Sequence, residues 1–369
     1  MIYQILRGEV LHTTPNIVRG ILKNSTFLSP TTASQHYLCI LMFGRQMLYD
    51  NVEKNPYDKL CQEYSFTNYK LFYTKWEFMK FVLTRKNSDK IIIHGNVAIK
   101  NEVIFNSVLL LFRRDILSQT TLICWGNNDF IKGNRLRAKL TLGAIRESVY
   151  KRYKNILTLS VQDREEVQAL YPQAHVLYLP YFSLNKRQLL RQEKAMGEKC
   201  KVMVSHSGWP LNNHFKSFEI LKKNIPNVHV ICPLCYGDEH YIEEVIAKGI
   251  EMFGNDFEYF RDLRPNEEYK CLLRSLDVYV TAADRQTGLA AVYGAMEGGA
   301  KIFVTGNNFM SMKKEGYSVF NIDDLGQMTI DELKDPMNDV IAQRNIDIYN
   351  ETHCNGKSIV EGWRNVYED

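Results

Sequence analysis

A short apolar run, Val278-Tyr279-Val280, is followed by a glycine turn, a stretch of small residues closed by Gly298-Gly299, and a second apolar run, Lys301-Ile302-Phe303-Val304. The two runs are strand-length, and the segment between them is long enough for a helix. That order fits a strand–helix–strand unit with parallel strands. In such a unit the helix starts at the carboxyl edge of the sheet. Its free N–H groups and partial positive charge make an anion site there. Arg285, in Arg285-Gln286-Thr287-Gly288, stands beside that end and carries a fork suited to phosphate. The stretch predicts a helix that holds the diphosphate of a nucleotide-activated substrate. Taken alone, it fits an ordinary βα turn with a surface arginine more simply, because short glycine motifs recur widely.

The same alternation runs through the whole chain. Strands are expected at Ile2–Leu6, Tyr37–Met42, Leu71–Tyr73, Ile91–Ile93, Leu122–Cys124, Ile156–Ser160 and Val176–Leu179, with helices such as Trp76–Thr84 and Val103–Ser118 between them. After a polar, highly charged stretch at 185–199, read as a linker, the pattern resumes. Further strands are expected at Lys201–Val204, Val228–Cys232 and Phe257–Phe260, and Asn266 is expected to cap a helix Glu267–Ser275. Strands alternating with helices in two blocks predict an α/β protein of two Rossmann-like, doubly wound domains, over 1–184 and 200–350. A chain of 369 residues is long enough for both cores.

Ligands in this architecture bind beyond the carboxyl ends of strands. The second half offers Ser207-Gly208 after its first strand, then Asn212 and His214, Tyr236-Gly237 after the next, and the Arg285–Gly288 turn. The first half offers His12, His94 and Asp129 as proton acceptors. Two such halves with their strand ends across one cleft suit group transfer from a nucleotide diphosphate. One half would hold the leaving group, and the other would present the nucleophile and its base. No Asp-x-Asp clamp, Walker-type loop or Gly-x-Gly-x-x-Gly at a strand–helix junction occurs. The expectation is therefore transfer without a metal and without a cofactor.

A net charge of +4 gives no argument for nucleic acid. One stretch is locally basic: Lys132, Arg135, Arg137, Lys139, Arg146, Lys151, Arg152 and Lys154 stand against Glu147 alone, with apolar residues interleaved. It fits a helix lying on an anionic membrane and a solvated helix face equally well. The apolar runs fall well short of the roughly 20 residues that span a bilayer, so the chain is expected in the cytoplasm or peripheral to a membrane.

In order along the chain, His94-Gly95, Trp125-Gly126, Ser207-Gly208 with Asn212 and His214, Pro233 with Tyr236, Tyr241-Ile242-Glu243-Glu244, Arg285-Gln286 with Gly288, and Gly362-Trp363 resemble the motifs of glycosyltransferase family 56. These are the TDP-4-acetamido-4,6-dideoxygalactose:lipid II transferases of enterobacterial common antigen synthesis. The match is best from about Lys201 to Lys301. The resemblance implies a GT-B fold and a glycosyltransferase that takes a nucleotide-diphosphate sugar, TDP-linked, to an undecaprenyl-diphosphate-linked saccharide in surface polysaccharide or O-antigen assembly. It implies work at the inner face of the bacterial plasma membrane, reached through the 132–154 stretch. The donor site implied is Ser207, Gly208, Asn212, His214, Tyr236, Arg285, Gln286, Thr287 and Gly288. The catalytic residues implied are Asp129, His94 and Arg285. The last segment, 351–369, is expected to cross back and brace the N-terminal domain. Two departures stand out: Asn128 occupies the place of the family's aspartate, with Asp129 one position later, and His206 replaces an asparagine before Ser-Gly. A nucleotide-sugar epimerase and a catalytically inert scaffold on the same two domains remain as alternatives.

Overall fold

The computed structural model describes residues 1–8, 14–28, 30, 33–42, 56–95, 102–125, 145, 148–193, 197–225 and 227–368. The chain divides into two compact units, Met1–Asn185 with Thr352–Asp369, and Lys186–Glu351.

In the first unit seven strands, β1 (Ile2–Arg7), β2 (His36–Leu41), β3 (Tyr69–Phe72), β4 (Lys90–His94), β5 (Thr120–Cys124), β6 (Asn155–Thr158) and β7 (Val176–Tyr178), form one sheet in the order β3-β2-β1-β4-β5-β6-β7. Every pair is parallel. Alternate residues of a strand face opposite sides, and both sides are buried. Tyr3, Ile5, Ile91, Ile93, Leu122 and Cys124 enter one core, while Ile2, Ile92, Ile123 and Leu157 enter another that includes Ile359, Trp363 and Tyr367 of the last helix, Lys357–Glu368. Burial on both faces is why these strands read as continuous apolar runs rather than alternating ones. The expected helix Val103–Ser118 is two helices, Glu102–Phe112 and Arg114–Leu117. The break comes at Arg113, whose guanidinium leaves the helix to bond the carbonyls of Leu83 and Arg85.

The second unit repeats the plan with six strands, β8 (Cys200–Val204), β9 (Val228–Pro233), β10 (Phe257–Phe260), β11 (Val278–Val280), β12 (Lys301–Val304) and β13 (Phe320–Asn321), in the order β10-β9-β8-β11-β12-β13. All are again parallel. The helix expected to be capped by Asn266 begins at Asn266 itself. Pro265 holds the cap position without a side-chain hydrogen bond.

The charged stretch expected as a linker is, over 186–193, fastened to the second unit. Arg187 pairs with Glu297 at 2.7 Å, its backbone N–H donates to Asn350, and Arg191 pairs with Asp339 at 2.7 Å. Arg274 takes the other oxygen of Glu297 at 2.8 Å. The largely buried Glu297 carboxylate is therefore held between two guanidiniums, which is what makes its burial tolerable.

Asp129, Asn128, Gly126 and His12 lie outside the described residues, as does most of the basic stretch 132–154. Within the described end of that stretch, Val149, Tyr150 and Tyr153 are buried in the first unit's core. That end spends its apolar residues on folding. Among the described residues no helix is long and apolar enough to cross a membrane.

Candidate active site

Both sheets reverse their direction of winding between the first and fourth strands, at β1/β4 and at β8/β11. The crevice beyond the carboxyl ends of such a strand pair is where open α/β sheets bind ligands. In the second unit β8 and β11 are stitched together right up to it. The Ser205 N–H donates to the Val280 carbonyl at 2.8 Å, and the Ser205 and Thr281 hydroxyls bond at 3.0 Å. From there two loops open.

The β8 loop is braced from several sides. Asn212 donates its amide to the Ser207 carbonyl and hydroxyl at 2.6 and 2.9 Å. Gly208 forms a parallel bridge with Gly237 of the β9 loop: its N–H donates to the Tyr236 carbonyl, and its carbonyl accepts from Asp238. The backbones lie so close that a Cβ on Gly237 would sit 2.2 Å from the Gly208 oxygen, so only glycine fits there. Tyr241, on the helix Glu239–Phe253, accepts a hydrogen bond from the backbone N–H of His214 at 3.0 Å. The motif residues of these two loops are thus one interlocked frame. Ser207, Gly208, Asn212 and His214 are all buried within it. Burial, with His206 nearby, pushes the His214 imidazole down to about 3. These four residues shape the site from beneath and leave little side chain for a ligand. His206 and Tyr236 are the partly exposed members.

The β11 loop carries Arg285-Gln286-Thr287-Gly288, all partly exposed, into the helix Leu289–Glu297. Asn308, fully buried, fixes it: its side chain accepts from the Thr287 N–H at 3.2 Å and donates to the Thr287 carbonyl at 2.8 Å. Gly288 takes the N-cap position with φ +69°. The His206 ring reaches across to this loop, its Nε2 lying 3.4 Å from the Thr287 hydroxyl and 3.3 Å from that of Ser207. Beneath Gly288 lies the buried Tyr279, whose hydroxyl is held well above its usual pKa by burial and by the neighbouring Tyr269 and Tyr236 phenols. The structure therefore brings Arg285, Gln286, Thr287, Gly288 and Tyr236 to one crevice at a helix N-terminus. It adds His206, which stands where the motif before Ser207 departs from the family, as a contact residue, and Asn308, to which no motif had pointed, as a support. A Cβ on Gly288 would also meet the His206 ring at 2.6 Å. Gly288→Ala is accordingly expected to lower the stability of this unit by about 1–2 kcal/mol, read as a urea midpoint shift. An unchanged midpoint would show that the turn does not need this conformation.

At the β1/β4 switch of the first unit His94 is 1 % exposed and both ring nitrogens are engaged. Nε2 lies 2.7 Å from the Gln4 carbonyl oxygen and Nδ1 lies 2.9 Å from the Tyr181 hydroxyl. Burial pushes His94 down to about 3, so the ring is neutral and carries one proton. Donation to Gln4 places that proton on Nε2. Nδ1 then accepts from Tyr181, whose oxygen in turn accepts from the Trp125 indole N–H at 3.0 Å. Beyond Gln4, its amide nitrogen lies 3.1 Å from Nδ1 of His36. The indole of Trp125 lies on Gly95, where a Cβ would meet it at 2.8 Å. Trp363 donates to the Pro180 carbonyl at 2.7 Å and stacks on Tyr181. The scattered motifs His94-Gly95, Trp125 and Gly362-Trp363 thus meet at Tyr181. Of the expected proton acceptors in the first unit, His94 is thus a buried ring with both nitrogens engaged by Gln4 and Tyr181.

Comparison with solved structures gives the fold. The N-terminal domain of Candida albicans trehalose-6-phosphate phosphatase matches with a TM-score of 0.66 at 11% identity, over 100% of this chain and 97% of that one. Anabaena Alr3699/HepE, solved with UDP and glucose, matches with a TM-score of 0.65 at 12% identity, over 99% and 98%. The lipopolysaccharide outer core galactosyltransferase WaaB matches with a TM-score of 0.55 at 11% identity, over 100% and 96%. The fold is GT-B. The family model described as 4-alpha-L-fucosyltransferase glycosyl transferase group 56 matches residues 45–367, and the chain belongs to that family of glycosyltransferases.

Proposed function

We propose that this glycosyltransferase moves a 6-deoxy, acetamido-type sugar from a TDP-linked donor to an undecaprenyl-diphosphate-linked saccharide, in bacterial surface polysaccharide synthesis at the inner face of the plasma membrane. The observation that carries the donor half is the crevice at the start of the helix Leu289–Glu297, where Arg285, Thr287 and Gly288 face His206 and Tyr236 at the switch point of the sheet.

In this reading the acceptor hydroxyl oxygen forms a bond to the sugar's anomeric carbon, and the bond from that carbon to the diphosphate oxygen breaks. The acceptor's proton passes to Asp129, and the electron pair leaves with the diphosphate. Negative charge therefore grows on the departing phosphate. The N-terminus of the helix Leu289–Glu297 and the Arg285 guanidinium beside it would meet that charge as it appears. His206 and Tyr236 line the same crevice, while Ser207, Gly208, Asn212 and His214 hold its floor in shape. His94 is a positioning residue: it fixes Tyr181, and Tyr181 fixes Trp125, from which the chain continues toward Asp129.

Thermal unfolding in the presence of TDP, UDP, GDP and CDP tests the donor site. A nucleotide that binds only the folded state adds about 2.7 kcal/mol at a hundredfold excess over Kd. TDP is expected to raise the midpoint most, and Arg285→Ala is expected to remove that rise. If none of the four moves the midpoint, the crevice is not the donor site.

A further inference from the structure

β8 leads into a turn that costs energy. Ser205 takes φ +60°, in the left-handed region, and is held there by the Val280 carbonyl and the Thr281 hydroxyl. The next residue, His206, reaches from this turn to the β11 loop. Its Nε2 lies between two hydroxyls, 3.3 Å from that of Ser207 and 3.4 Å from that of Thr287. Both distances exceed those of a well-made hydrogen bond to an imidazole nitrogen. An anionic oxygen arriving in the crevice is a stronger acceptor than either hydroxyl.

The other side of the ring borders the buried end of Tyr279. A Cβ on Gly288 would stand 2.6 Å from Nδ1 of His206 and 3.1 Å from the Tyr279 hydroxyl, so nitrogen and phenol flank the same point. The phenol is fully buried, and among the described residues no hydrogen-bond partner meets its oxygen. An unmatched buried hydroxyl is costly and calls for an explanation. Burial keeps the phenol neutral, so it can accept an N–H without giving up its own proton. A neutral imidazole has one N–H, and an imidazolium has two. The charged ring therefore finds at Tyr279 an acceptor for its second N–H.

Other groups face His206. His214, of the helix His214–Asn224, is buried and neutral. Tyr236 of the β9 loop meets the ring edge-on, with centroids 6.5 Å apart. Arg285 stands on the same turn as Thr287. At about pH 7.5 an ordinary imidazole is mostly neutral, and an opposite charge at hydrogen-bonding distance makes it take up a proton. We propose that His206 takes up a proton as the donor's diphosphate binds, gives Nε2–H to a phosphate oxygen and Nδ1–H to Tyr279, and keeps that proton while the sugar–phosphate bond breaks. The electron pair of that bond stays on the diphosphate, and the imidazolium meets the charge it brings. His206 is then a catalytic residue and Tyr279 a positioning residue. The proposal rests on the crevice being the donor site.

The test is calorimetric titration of the full chain with TDP at about pH 7.5, in Hepes and in Tris. The two buffers release protons with different heats, so the pair of titrations counts protons. The wild-type chain is expected to take up about half a proton or more per TDP, and His206→Gln close to none. His206→Gln should also bind TDP about tenfold more weakly. Because the bound state holds the extra proton, wild-type affinity should fall as pH rises from about 7 to about 9, and that of His206→Gln should stay level. Tyr279→Phe removes a hydroxyl that has no partner, so it should unfold at the wild-type midpoint and yet take up a clearly smaller fraction of a proton. Unfolding midpoints check both variants. Wild-type binding without proton uptake, or uptake that persists in His206→Gln, would overturn the proposal and leave the donor site standing. Uptake by Tyr279→Phe equal to that of the wild type would strike Tyr279 from it. If TDP binds at no pH, the donor reading and this proposal fall together.

Discussion

Arg285→Ala is expected to leave the fold in place and to lower turnover by about a hundredfold or more, the scale of a lost partner for transition-state charge. The fold should survive because the loop is also fastened by groups other than Arg285. Asn308 holds Thr287 from both sides, and the Asn307 N–H bonds the Asp284 carbonyl. The loss should fall on kcat more than on KM, since the charge that Arg285 meets grows as the sugar–phosphate bond breaks. Arg285→Lys keeps a charge but loses the planar fork, and it should recover only part of the rate. Steady-state kinetics on the folded variants decide the matter. Turnover near the wild-type value would remove Arg285 from the reaction.

A steep loss of stability below neutral pH is the second expected result. His36 and His94 in the first unit are pushed down to about 4 and about 3, in each case by burial, and His214 in the second to about 3. In the unfolded chain each titrates near 6.5. The lowered folded values mean that the unfolded state takes up protons first as pH falls. Stability is therefore full above about 6.5 and drains away as pH descends toward 3–4. At about pH 5 the two histidines of the first unit together cost on the order of 4 kcal/mol, a large share of what holds a domain folded. Unfolding temperatures should drop steeply between neutral pH and about pH 5, before carboxylates of ordinary pKa contribute much. His214→Phe should flatten the profile of the second unit alone. A flat profile across that range would mean that these rings are not buried in neutral form.

The parallel sheets were legible because burial on both faces leaves unbroken apolar runs such as Ile91-Ile92-Ile93 and Val278-Tyr279-Val280, and each was placed to within a residue or two. β13 carried no comparable signal, since two residues cannot show a period. The Arg285–Gly288 turn was found because its chemistry is local. Its support was not, because Asn308 lies 21 residues away and reads as one more polar residue until the fold closes. The partners of His94 were hidden in the same way: Gln4 and Tyr181, 90 and 87 residues away, take up its nitrogens, and no spacing rule joins them. Charge at 185–199 suggested a solvated linker because a sequence shows where charges are and not whom they meet. Arg187 and Arg191 in fact reach Glu297 and Asp339. The epimerase and inert-scaffold alternatives gave way to the family match, which covers residues 45–367.

The row from Trp125 through Tyr181, His94 and Gln4 to His36 has a handedness of its own. An indole can only give a proton, so Tyr181, His94 and Gln4 each receive on one side and give on the other, and His36 receives at the end. A half-turn of the Gln4 amide, or a shift of the His94 proton to its other nitrogen, would set two givers or two receivers face to face. Neither can happen singly without stranding buried groups, and the row therefore changes state like a line of gears, all together or not at all. The row thereby joins Trp125 at one end to His36 on the far side of the sheet's central strands.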